Sequence, residues 1–259
     1  MPCQYLHAKP QAWQKIEYII QSFFEVGLGS EYGESDNNNL RKWRLPLRLY
    51  VEHQVGDEAL HNKLLNAHIK QLTSITLLDI KRVSHKKNAN IFYYFTRQSS
   101  LPKLVENNLG SAAVKYLHGS VCLANVKTDK FNYITSAHIF IPVDQARMHG
   151  KLVACIVEEL TQVLGLIRDS DLVYPSIFND KTHNSLLTGL DEILLRLLSE
   201  DDIKADMSEK QLRPILLRLL KRYETTGLID TADERIQQGE LYEILGFRRS
   251  SPTSSSVVK

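Results

Sequence analysis

The 259-residue sequence has no apolar run approaching roughly 18 residues, which argues against a transmembrane helix. Its net charge is only +2, so the total gives no pull toward nucleic acid or an anionic membrane. The start, Met-Pro-Cys-Gln-Tyr-Leu-His, lacks the basic and then apolar regions of a signal peptide, and on that ground the expected compartment is the cytoplasm. Cysteine is scarce, at three residues. Cys122 and Cys155 could bridge across the core only in an oxidising compartment. Two buried free thiols are expected instead, because unpaired cysteine is commonly buried. Cys3 becomes a lipidation candidate if the true start lies upstream, although no lipobox-like residues precede it. No internal repeat is evident.

What is present is an ordinary globular balance, 43% hydrophobic and 24% charged, compatible with one sizeable core plus appendages. Trp13, Ile16, Ile20, Phe23 and Phe24 recur at helical spacing and predict a first helix that ends near Gly27-Leu28-Gly29, before a loop over residues 31–39. Residues 43–52 read as a strand, with Leu45, Leu47, Leu49 and Val51 on one side. Residues 57–73 read as a helix with Leu60, Leu64, Leu65, His68, Ile69 and Leu72 as its core stripe. His61 and His68 share a face there and are expected to be half-buried at the surface. A short strand near residues 75–83, a basic turn over 81–87 and an aromatic strand over 89–95 follow. The basic turn carries no aromatic interleaving and reads as a solvated hairpin tip, not a nucleic-acid site. Residues 101–109 suggest a helix, and 121–126 with 131–141 a hairpin in which His138 alternates with Ile139 and Ile141 and so faces out. Further helices are expected over 188–198 and 208–225, each opened by a capping box (Thr188 with Asp191, Ser208 with Gln211), with a short one over 239–245 and a disordered tail over 248–259.

The chain is organised around residues 151–180. At about 100° per residue, Leu152, Val153, Ile156, Val157, Leu160, Val163 and Leu164 fall on one broad face of a helix over 151–166. Cys155, Glu158, Glu159 and Gln162 gather on the other, and Gly165 is a natural stop. The helix thus offers an apolar back to a core and a polar front of two carboxylates and an amide. A short polar link and the turn Tyr174-Pro175-Ser176-Ile177-Phe178-Asn179-Asp180 come next.

That layout resembles the active-site helix of the metzincin zinc peptidases, H-E-x-x-H-x-x-G-x-x-H followed by a Met-turn. Glu158, Gln162 and Arg168 stand at the three histidines, Glu159 at the general base and Gly165 at the glycine, while Phe178 stands at the Met-turn methionine. A second resemblance runs roughly from Ile16 to Leu220. Lys42-Trp43, Pro46 to Val51, Ala89-Asn90-Ile91, Phe95, the Glu-Glu-Leu-Thr-Gln-x-Leu-Gly-Leu helix, Ser176 to Asp180 and Leu187 to Asp191 are similar to a bacterial domain of unknown function, number 2927. Together the resemblances imply an α+β, zincin-like fold: a mixed β-sheet packed on an active-site-type helix, with a helical C-terminal part. The implied domain covers residues 40–225, with an N-terminal helix and loop over 1–39 and a short helix and Ser-rich tail over 226–259. They also imply the bacterial cell envelope.

The chemistry departs from the peptidase pattern. Catalytic zinc needs three good protein ligands and an open position for water. Glu158 offers a carboxylate, but Gln162 offers only a neutral amide oxygen and Arg168 is permanently cationic. Without the ion nothing lowers the pKa of an attacking water, and Glu159 alone is a weak route to hydrolysis. No cofactor is therefore expected, although a divalent metal on Glu158 and Gln162 is the alternative. Three arrangements stay open for these side chains. In one, Glu158, Glu159, Asp169 and Asp171 or Asp180 hold calcium or magnesium; in another, Glu158 and Glu159 act as acid and base without metal; in the third, they simply hydrogen-bond a strand edge, Arg168 or the Asn179-Asp180 turn. His183, in the loop beyond, is a further candidate, and His149 flanks the helix. The expected function is a non-catalytic scaffold that binds a peptide or protein ligand in a peptidase-like cleft by pairing it with an edge strand. Hydrolysis at a non-standard centre is the alternative.

Overall fold

The computed structural model describes residues 11–29, 38–182 and 184–247. The Cys3, His183 and serine-rich tail expectations lie outside them, as does most of the loop after the first helix. Nine α-helices and six strands are described, in a mixed α+β arrangement built on a largely parallel sheet. The strands are β1 (Lys42–Trp43), β2 (Leu47–His53), β3 (Ile80–Arg82), β4 (Ile91–Thr96), β5 (Leu123–Thr128) and β6 (Tyr133–Pro142). β3, β2, β4 and β6 lie side by side and parallel, β5 pairs antiparallel with β6, and β1 joins the start of β6.

Alternation along the strands gives the sheet two apolar faces. Leu47, Leu49, Ile91, Tyr93, Phe95, Ala137, Ile139 and Ile141 belong to the main core, with helices α2 (Glu58–Thr76) and α5 (Leu152–Gln162) packed against each other in it. Tyr94, Phe140 and Leu123 point the other way, onto Leu101 and Val105 of α3 (Leu101–Leu109) and Ala113 of the following 3-10 segment. The C-terminal helices α6 (Gly189–Ser199), α7 (Glu209–Thr225), α8 (Ala232–Gln237) and α9 (Glu240–Ile244) continue the same core, and α1 (Ile16–Gly27) packs on α6 and α7.

Several expectations are corrected. The strand over 43–52 is two strands, because Pro46 has no N–H to give a ladder, and Leu45 is 56% exposed. Helix α2 runs on to Thr76, so the strand expected from Ile75 shrinks to three residues; Leu60 drops out of its buried stripe at 43% exposure. His61 and His68 are both fully buried, not half-exposed. His61 stacks on Phe95 at 4.5 Å between ring centroids, and His68 bonds Thr161 at 3.0 Å. His138 does leave the main core, but it is half-buried there, stacking on Phe92 at 4.8 Å beside Tyr94 and Phe140. A helix the sequence reading missed, α4 (Val143–Met148), stands between β6 and α5, and α8 was missed as well. Both are six residues long, too short for periodicity to show. Cys122 and Cys155 are disulfide-bonded, not free: the structure brings their Cα atoms to 5.9 Å. The helix over 101–109 and both capping boxes stand as the sequence indicates.

Candidate functional site

Helix α5 ends at Gln162, four residues sooner than its apolar pattern suggests. Two side chains hold that end. The Trp43 indole donates to the carbonyl of Val163 at 2.7 Å, and Thr161 turns back onto the carbonyl of Val157 at 2.6 Å. Gly165 follows with φ +132°, and a Cβ there would meet the carbonyl oxygen of Arg41 at 2.5 Å. Glycine is required at that point by both conformation and space. The chain can then double back past β1 and place residues 168–180 against the helix.

The polar front of α5 is consequently roofed over. Glu159 is 5% and Gln162 3% exposed, while Glu158 is half-buried. The Gln162 amide donates to Asp169 Oδ1 at 2.7 Å, and Lys151 lies 3.8 Å from Asp180. Burial, and then the Asp180 carboxylate, push the Asp169 carboxyl up to about 7, against the pull of the Gln162 hydrogen bond and Lys151. Gln162, Asp169, Asp180 and Lys151 thus form one polar cluster along the helix. Glu159 lies in the neighbourhood of Tyr93, whose fully buried hydroxyl has no hydrogen-bond partner among the described residues. Burial first, and the Glu159 charge second, raise that phenol well above its ordinary value.

The other candidates are separated from this cluster. Arg168 is exposed, its aliphatic stem near Gly29. Asp171 is paired with Lys181 at 2.5 Å. Asn179 is buried, with its amide on the carbonyls of Asp171 and Val173, both at 3.0 Å, and its oxygen accepting from the Lys181 amide. Phe178 is fully buried in the main core. Among the described residues, no group of three or more His, Cys, Asp or Glu side chains is placed to hold a metal ion. What the cluster can do chemically is exchange a proton near neutrality at Asp169.

One organising residue was only half legible in the sequence. Asp191, completely buried, accepts from Ser176 Oγ at 2.6 Å, the Ile177 amide at 3.2 Å and both donors of Thr188 at 2.8 and 2.9 Å. It therefore caps α6 and fixes the turn before Phe178 with one carboxylate. Burial pushes it up to about 6, although all of these bonds pull the other way. The Thr188–Asp191 spacing signals the cap. Nothing in the sequence signals the second use, 15 residues upstream. Strand β5 lies along the other flank of α5, bonded to it through Cys122–Cys155 just before the strand begins. Among the described residues it pairs only with β6, so its outer edge is free.

No curated protein and no solved structure matches this chain. Residues 16–218 match the model of a family described as "Protein of unknown function (DUF2927)". That match takes in the sheet, helix α5, the Asp169 cluster and the Asp191 turn, and the chain belongs to this family of unknown function.

Proposed function

We propose that the protein is a non-catalytic scaffold of metzincin-like form that captures an extended peptide segment along β5. The observation that carries this is the free antiparallel edge of β5 beside helix α5, tied to it by a disulfide. An unpaired strand edge is a template for backbone hydrogen bonding and needs no metal. In the peptidase scaffold that residues 151–180 resemble, the edge strand next to the helix plays this part. The binding unit is residues 40–225, and the disulfide favours an oxidising compartment such as the cell envelope. A second reading, hydrolysis at a centre built on Glu158, Glu159 and Gln162, gains support from Asp169, whose carboxyl is held near neutrality against Gln162.

The test uses fluorescence anisotropy with labelled extended peptides and their counterparts N-methylated at alternate residues. Capture by strand pairing predicts at least about a tenfold loss on N-methylation, since each methyl removes a ladder donor. Binding indifferent to N-methylation, or none at millimolar peptide, refutes the scaffold reading. Peptide cleavage abolished by Glu159→Gln establishes the second one.

A further inference from the structure

Away from α5, a groove of about 960 Å³ opens between helices α2, α6, α8 and α9. That is the upper end of the size that takes a drug-sized ligand, about 300–1,000 Å³. Its floor is Glu192, in the first turn of α6 and 1% exposed. One of its oxygens, Oε1, accepts from Arg196 Nε and from Arg235 Nε, both at 2.8 Å. The other, Oε2, is buried with no hydrogen-bond partner among the described residues. An orphaned buried acceptor, above all a charged one, calls for a partner that the described residues do not supply.

The two arginines are not equivalent. Arg235 spends its terminal nitrogens on the chain itself, on Thr231 Oγ1 at 2.5 Å and the Leu228 carbonyl at 2.6 Å. Arg196 uses only Nε, and its terminal nitrogens have no partner among the described residues. A guanidinium held by one edge with the other edge open is a preformed fork for a carboxylate. Its Glu192 partner fixes its position, and a single residue thus offers a clamp for an anion beside an unmet acceptor. Across the groove Lys63 is exposed and adds a second cation, while Lys70 is paired with Glu240 at 3.2 Å.

We propose that this groove binds a carboxylate flanked by an N–H donor, and that the ligand is the C-terminal residue of a peptide. The Arg196 fork takes the terminal carboxylate, and the preceding N–H reaches the Glu192 Oε2 oxygen as the floor yields. Lys63 adds long-range attraction. The groove's size favours a chain end over a free amino acid, which carries the same pair of groups. The site is independent of β5, so either proposal stands if the other fails.

Calorimetric titration of the full chain tests it with three probes: acetyl-Ala-Ala-Ala with a free carboxylate, the same tripeptide as its C-terminal amide, and free L-alanine. The acid is expected to bind at least tenfold tighter than the amide. Arg196→Gln is expected to abolish that difference, and Arg196→Lys to restore only part of it. Lys63→Gln, at an exposed position that cannot disturb the fold, is expected to weaken the acid several-fold and reduce its salt dependence. Alanine binding as tightly as the tripeptide overturns the peptide assignment in favour of a free amino acid. Equal binding of acid and amide, no acid binding at millimolar concentration, or indifference to both Arg196→Gln and Lys63→Gln overturns the site.

Discussion

Breaking the Cys122–Cys155 bond is the most direct way to test how the free edge of β5 is held against α5. The bond closes a chain segment of 33 residues. In the chain-entropy treatment, a loop of that length restricts the unfolded chain by about 12–13 cal/mol/K, or about 3–4 kcal/mol at 25 °C. Cys155 is 1% exposed, so the Cys122→Ser, Cys155→Ala pair also exchanges a buried sulfur for a smaller group, which adds to the loss. For a chain of this size about 3–4 kcal/mol corresponds to roughly 6–16 °C in Tm.

The assay is urea unfolding of the protein as purified, of protein reduced with a phosphine, and of the double variant, followed by tyrosine and tryptophan fluorescence. The reduced protein and the double variant are expected to share a lowered midpoint. Mass spectrometry after alkylation without reductant should label neither Cys122 nor Cys155. Labelling of both in the untreated protein, or midpoints that coincide, refutes the reasoning. Because the tether sits next to the strand edge, reduction is also expected to weaken capture of extended peptide more than it weakens the fold at low denaturant.

Four other outcomes follow from the same contacts. Asp169 has its pKa raised to about 7, so the folded state holds its proton more tightly than the unfolded chain does; stability is present at low pH and lost as pH rises through 7. Asp169→Asn, which keeps an acceptor for Gln162, is therefore expected to be near neutral at pH 4 and to stabilise by about 1–3 kcal/mol at pH 8; a pH-independent difference in urea titrations would contradict it. His68 is shifted the opposite way for a base, down to about 4 by burial, so its contribution is lost as pH falls from about 6.5 toward 4. The stability gap between wild type and His68→Gln should accordingly narrow over that interval, by up to about 3 kcal/mol. Gly165→Ala, meeting the Arg41 carbonyl at 2.5 Å and a φ of +132°, is expected to cost about 2 kcal/mol or more in urea, and a neutral result would refute the close approach. Asp191→Ala strips the donors of Ser176, Ile177 and Thr188 at once and should cost about 3–5 kcal/mol, with Asp191→Asn intermediate, as read by thermal melting.

The fold was legible in the sequence wherever periodicity ran long. Helices α3, α6 and α7 carry an apolar stripe over two or more turns, and the last two also open with a capping box, so local signals alone place them. Helix α4 has only six residues and gives no such stripe, which is why β6 looked as if it ran straight into α5. His61 and His68 were misplaced for a different reason. Their spacing on α2 is visible, but what buries them is Phe95 of β4 and Thr161 of α5, contacts made 34 and 93 residues away in sequence. The expectation of free thiols failed for the same reason, since the proximity of Cys122 to Cys155 depends on how β5 lies against α5 and not on any pattern near either residue.

The candidate site shows where pattern reading changes meaning once packing is known. Helical spacing groups Glu158, Glu159 and Gln162 on one polar face, whereas in the structure Gln162 meets Asp169 and Glu159 lies near Tyr93. Spacing does not say whether such a face looks onto water or under another segment. Gly165 settles this by allowing the chain to double back within contact of Arg41, which brings Asp169 over Gln162. A buried amide must have a partner, and Asp169 supplies it; a buried carboxylate is expensive, and the rise of Asp169 toward 7 expresses that cost. The position that resembles a zinc ligand in sequence is thereby occupied by a donor–acceptor pair within the protein. Its amide nitrogen is committed to Asp169, and the Asp180 carboxylate that acts on Asp169 is ion-paired with Lys151. The edge of β5, which pairs with no strand but β6 among the described residues, is thus a better place for the proposed peptide than the front of α5, where Gln162 and Asp169 already satisfy each other.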